Sequence, residues 1–100
     1  MPSPIIRLLE AMAPLGAVED RPYLGGWGLY LGGRMFALMQ GEKIWFRTDQ
    51  GSRLEYLRSG SSPFATNPSM ELGWFYEVPP AVRDDEYQLV AWARKAVEAK

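Results

Sequence analysis

Four groups of side chains have types and spacings that could do chemistry, and each points to a different kind. Gly25-Gly26-Trp27-Gly28 invites comparison with phosphate-cradling loops, which aim backbone amides and a helix N-terminus at an anion. Here a strand pattern follows instead of a helix, and no Gly-Lys-Ser/Thr closes the motif, so these are read as turn glycines. Asp84-Asp85-Glu86 offers three carboxylates, and paired carboxylates do acid and base work when their environments separate their pKa values. Adjacent on the chain at a helix start, they fit a cap with macrodipole stabilisation more simply. Ser59, Ser61 and Ser62 would need a Lys or carboxylate partner to act as nucleophiles, and their setting is that of a loop. The fourth group is Trp27, Phe36 and Trp45 beside Arg34, Lys43 and Arg47. It resembles the stacking-plus-cation surfaces of single-strand binders and is the candidate interaction surface.

The sequence holds no Cys and no His. That removes the thiolate nucleophile, the imidazole base, the zinc knuckle and the disulfide, so no catalytic residue, cofactor or metal site is expected. Eleven basic against twelve acidic side chains give a net charge of -1, which argues against nucleic acid as a direct partner and against an anionic membrane surface. At 100 residues, 47% apolar, 13% aromatic and 23% charged, the composition is that of one globular domain, residues 1–100. The opening Met1-Pro2-Ser3-Pro4 leads into an Ile5-Ile6-Arg7-Leu8 run that carries charge where an export signal needs an apolar core, so a cytoplasmic location is expected.

The elements that must position these groups follow from spacing. Ser3 can cap a helix that begins at Pro4, with Ile5, Leu8, Leu9 and Met12 on one stripe and Pro14 and Gly16 at its end. Between Tyr23 and Thr48, short aromatic and branched runs separated by Gly25-Gly26, Gly32-Gly33 and Gly41-Glu42 predict an antiparallel meander. Two-residue turns would pair Leu31 with Arg34, Leu38 with Trp45 and Phe36 with Arg47. One face would then carry Tyr30, Met35, Ala37, Met39, Ile44 and Phe46, the core face. The other would carry Trp27, Leu29, Leu31, Phe36, Leu38 and Trp45 among Arg34, Gln40, Lys43 and Arg47, too apolar for solvent and too charged for an ordinary core. Ser52 and Glu55 have the form of a capping box for a short helix. Leu72, Trp74, Tyr76 and Val78 alternate as in a further strand before Pro79-Pro80. From Asp84 or Asp85, Leu89, Trp92, Ala93, Ala96 and Val97 recur at helical spacing. Helix, strands, helix, strand, helix predicts a two-layer α+β domain, an antiparallel sheet of four to five strands with flanking helices.

Taken jointly, Gly25-Gly26-Trp27-Gly28-Leu29-Tyr30, Gly33-Arg34-Met35-Phe36-Ala37-Leu38, Phe46-Arg47-Thr48-Asp49, Gly60-Ser61-Ser62-Pro63-Phe64 and Trp74-Phe75-Tyr76-Glu77-Val78-Pro79 resemble the N-terminal domain of the TfoX/Sxy competence regulators. The likeness runs from about Ile5 to Ala99, with Tyr23-Leu24 where members usually have Met-Phe. Full-length members carry a second, C-terminal domain, and this chain is expected to be a stand-alone first domain. The resemblance implies a bacterial, non-enzymatic module of α+β fold, with no catalytic residues to carry over. Members act on transcription of competence genes together with the cyclic-AMP receptor protein. A protein partner linked to the transcription machinery is therefore expected, with a homodimer or a small-ligand or nucleic-acid surface as alternative uses of the aromatic and basic face.

Overall fold

The computed structural model describes residues 4–23, 25–64 and 71–99. The first helix, α1, spans Pro4–Met12 and buries Ile5, Leu8 and Met12, the stripe that the spacing predicts. A 3-10 turn, Ala13–Leu15, with Pro14 near its start, ends it. Ser3, the expected cap, lies outside the described residues. Four strands follow: β1 Glu19–Tyr23, β2 Gly26–Leu31, β3 Arg34–Gln40 and β4 Lys43–Arg47. After α2 (Arg53–Arg58) and a 3-10 turn (Glu71–Trp74) comes β5, Phe75–Glu77, then α3 (Pro80–Arg83) and α4 (Glu86–Glu98). The strands make one sheet in the order β1-β2-β3-β4-β5, every neighbouring pair antiparallel. This is the expected α+β class. β1 escaped the pattern reading because Glu-Asp-Arg-Pro-Tyr has no apolar alternation; four of its five residues are exposed.

Both expected two-residue turns form. Leu31 pairs with Arg34 across Gly32-Gly33, whose φ values of 62° and 80° are those a right-twisted hairpin turn requires of both central residues. Gln40 pairs with Lys43 across Gly41-Glu42. Between the turns the register departs from the expected one. Tyr30 pairs with Met35, but the next residue along β2, Leu29, pairs with Ala37, so Phe36 is one extra residue on β3, a β-bulge. Because side chains alternate with period two, that single residue reverses the face of β2 beyond it.

The correction is specific. Ala37, Met39, Ile44 and Phe46 face the helices as expected, but Leu29 and Phe36 join them in the buried cluster, with Trp27 and Leu31 packed against it. Tyr30 and Met35, expected in the core, turn to the other side. α4 rests on this inner face through Leu89, Ala93 and Ala96, and α1 adds Ile5, Leu8 and Met12. Tyr76 and Val78 complete it from the β5 end.

Helix starts show how local polar groups are satisfied. Ser52 makes no side-chain cap at the helix it precedes. The Asp49 carboxylate accepts from the backbone amides of Gly51 and Ser52 and from the Ser52 hydroxyl, while Ser52 Oγ accepts from the Asp49 amide. This reciprocal box sits one turn earlier than expected. Glu55 instead meets Lys95 Nζ of α4 at 2.6 Å. At α4 the cap is Asp85, which accepts from the Gln88 amide and side chain; Asp84 closes α3.

Candidate interaction face

The outer face of the sheet is built from β-residues that the helices leave uncovered. Ladder partners share a face, so Arg21 and Gly28, Leu38 and Trp45, Trp45 and Glu77, and Arg47 and Phe75 lie on it, together with Tyr30 and Met35. Two of these are as buried as any core residue: Leu38 is 2% exposed and Phe75 0%. Trp45 is half-buried. Its ring meets the edge of Phe64 with centroids 5.0 Å apart and planes at 84°, a favourable aromatic geometry.

Phe64 reaches Trp45 because residues 61–64 run beside β5 and are bridged to it. The Phe64 amide donates to Phe75 O at 2.7 Å, the Glu77 amide donates to Ser62 O at 3.1 Å, and Pro63 bridges Tyr76. So apolar a face calls for cover, and Phe64 supplies part of it.

Arg47 does structural work here. Its Nε donates to Met35 O at 3.3 Å, at the bulge, and its guanidinium stands 5.5 Å from the centre of the Phe75 ring. Elsewhere, the Arg21 guanidinium lies 4.9 Å above the Tyr30 ring. Gly28 makes that possible. A Cβ there would meet Met35 Sδ at 2.9 Å and Tyr30 Cε1 at 3.2 Å, so both side chains lie flat across the strand. At Gly26 a Cβ would meet the Met39 carbonyl oxygen at 2.0 Å, a backbone approach that only glycine permits.

The six residues singled out from the sequence are thus divided. Lys43, exposed, Trp45 and Arg47 share the outer face. Phe36 is 2% exposed in the helix-side core, and Trp27 packs on that same core. Arg34 sits exposed at the hairpin end beside Leu31. Arg21, Tyr30, Met35 and Phe75 belong to the face and were missed. The available signal was the period-two pair Gly26 and Gly28 on β2, which requires neighbouring large side chains to fold over it, and the consecutive apolar pair Phe36-Ala37, which a regular strand cannot place on one side.

The Tyr56 hydroxyl and the Asp85 carboxyl have displaced pKa values, and both have structural causes. Burial, followed by the Glu55 charge, pushes the Tyr56 hydroxyl well above its ordinary range. Its ring is packed edge-on against Trp92 at 4.8 Å. The hydrogen bonds from Gln88, side chain first, hold the Asp85 carboxyl below its ordinary value, as a helix cap should. Among the described residues no group of three or more Asp or Glu converges as a metal site, and no helix is long and apolar enough to cross a membrane.

The TfoX N-terminal domain family matches residues 10–100. The chain belongs to this family. No curated protein matches it. In this TfoX N-terminal domain the sequence blocks that carry the family resemblance supply the inner core, with Leu29, Ala37, Phe46 and Tyr76, and part of the outer face. The first supplies Gly26, Gly28 and Tyr30; the second, the bulge; the third, Arg47 and the Asp49 cap; the fourth, Phe64 against Trp45; the last, Phe75 and Glu77.

Proposed function

We propose that this TfoX N-terminal domain is a non-enzymatic regulatory module that docks its outer sheet face on a protein partner, in a cytoplasmic, transcription-linked role like that of the competence regulators it resembles. One observation carries the reading: the outer face is a half-buried aromatic platform, with Trp45 only partly covered by Phe64 beside exposed Lys43, and with exposed Arg21 over the Tyr30 ring at its other side. Rings and cations of this kind are the usual anchors of protein contacts. A competing use, for an oligonucleotide or small ligand, draws on the same cations over rings.

The test is site-specific crosslinking in the native cell. A photoreactive residue at Lys43 should capture a defined protein, and one at Leu57 on exposed α2 should not. Equal capture from both positions, or none from Lys43, would overturn the reading. A salt-sensitive quench of tryptophan fluorescence by an oligonucleotide would replace it with the competing one. Capture of a second copy of the chain, with a doubled mass in light scattering, would make the partner a homodimer.

A further inference from the structure

A second surface of different chemistry lies on the helix side. A half-open groove of about 620 Å³ runs between α1, the tip of the β3–β4 hairpin and the α3–α4 junction, a volume within the range of ligand sites, ~300–1,000 Å³. Its floor is apolar: Leu8, Met39, Ile44 and Leu89. Its rim is charged, and the signs are unequal. Glu10, Glu42, Asp84 and Glu86 stand against Arg7 and Arg83, leaving the rim at minus two, beyond the -1 of the whole chain. Arg83 is engaged with Asp84 at 3.2 Å. Glu10, Glu42 and Glu86 make no ion pair among the described residues.

We infer that this groove docks a short basic segment of a partner protein, one that alternates Lys or Arg with aliphatic side chains. The carboxylates come from three separate elements: Glu10 from α1, Glu42 from the hairpin turn and Glu86 from the start of α4. Cationic side chains of an extended segment can reach different walls while an aliphatic one between them meets the floor. Charges placed around a groove select and steer an oppositely charged partner more than they tighten it. A half-open shape admits a chain that enters and leaves, whereas an isolated small molecule is bound best where most of its surface is enclosed. The surface is independent of the outer face, so the domain could hold one protein by aromatic contact and a basic segment by charge.

The experiment uses the whole chain and a synthetic peptide, Lys-Leu-Lys-Leu-Lys with capped ends, titrated while the methyl signals of Leu8, Met39, Ile44 and Leu89 are followed by NMR. These signals should move, and the shifts should weaken with added salt. Glu10→Lys with Glu42→Lys, both exposed positions, should weaken binding about tenfold while leaving the circular dichroism spectrum unchanged. Four results would each overturn the inference: no movement at saturating peptide, equal binding of Glu-Leu-Glu-Leu-Glu, shifts confined to the outer face, or equal response to lysine amide alone. The last would make the groove a small-cation site instead. If the double variant fails to fold, Glu42→Gln alone, on the turn, must still lower affinity.

Discussion

The inner face of the sheet is covered by helices of 9 and 13 residues, whereas the cover of the outer face, among the described residues, includes residues 61–64, held beside β5 by two backbone hydrogen bonds and set against β4 by the Phe64–Trp45 ring contact. Both faces nonetheless contain side chains that water does not reach: Phe46 inside and Phe75 outside are each 0% exposed. The inner face obeys periodicity, since its stripes recur every two residues in strands and every three or four in helices. The outer face is made by exceptions: one bulge, two close-approach glycines and one arginine bonded to a backbone carbonyl. A sheet can therefore be closed on one side by pattern and on the other by irregularity, and the irregular side is the one left with accessible rings and cations.

The largest expected effect tests whether the inner face dominates stability. Phe46→Ala should cost about 3–5 kcal/mol in a denaturant melt, as large-to-small core changes do. Phe75→Ala, equally inaccessible but under a thinner cover that can collapse, should lie at the lower end of that range. A larger loss at Phe75 would reverse the ranking of the two faces. Next comes Gly26→Ala, whose methyl would overlap the Met39 carbonyl oxygen and must push β2 from β3. A loss of about 3 kcal/mol is expected, at the upper end of overpacking effects. Gly28→Ala should cost less, because it meets the ends of two flexible side chains rather than backbone.

Much of the inner layer was legible in the sequence because it rests on repetition. The α1 stripe, the two hairpin turns, the Ala37, Met39, Ile44 and Phe46 face and a cap at Asp84 or Asp85 all follow from spacing or from residues with fixed roles at turns and helix ends. What escaped was one residue of register. Composition alone does not mark Phe36 as an extra residue, yet its insertion transfers Trp27, Leu29 and Leu31 from the expected contact surface to the core side and sends Tyr30 and Met35 the other way. Period-two reasoning has no term for a bulge, so the error spreads until the next irregularity. Lys43, Trp45 and Arg47 were placed correctly because β4 pairs with β3 beyond the bulge, in the register set by the Gly41-Glu42 turn.

Arg47 sharpens the comparison further. Placed on the outer face by sequence as a candidate contact residue, it also has its Nε bonded to the Met35 carbonyl oxygen, where it holds the bulge in place. Arg47→Ala should cost about 2 kcal/mol, the range for a hydrogen bond to a charged group, and should raise amide exchange at Met35 and Phe36. A variant as stable as the parent would show that the bond to Met35 does not hold the bulge. Smaller again is Asp49→Ala, which removes the acceptor of three bonds at the start of α2. A loss of about 1 kcal/mol is expected for a lost cap, with Asp49→Asn recovering most of it.

The smallest effect separates the helix layer from the outer face by pH. Asp85 is fully exposed and caps α4, and the bonds from Gln88 hold its carboxyl below the ordinary value. A carboxyl whose folded pKa is depressed adds stability that is fully present above the unfolded pKa, near 3.9. It loses that contribution as pH falls through the lower folded value, because the unfolded chain then binds the proton more readily. Asp85→Asn keeps an acceptor at the cap but cannot titrate. Its melting temperature should match the parent within a few degrees at neutral pH and fall less steeply than the parent's below pH ~4. Trp45, Phe64 and Lys43 lie on the outer face and Asp85 at the start of α4 on the helix side, so crosslinking through Lys43 should survive the substitution unchanged. An acid limb identical to the parent's would show that the cap draws its strength from the hydrogen bond alone and that its charge adds nothing.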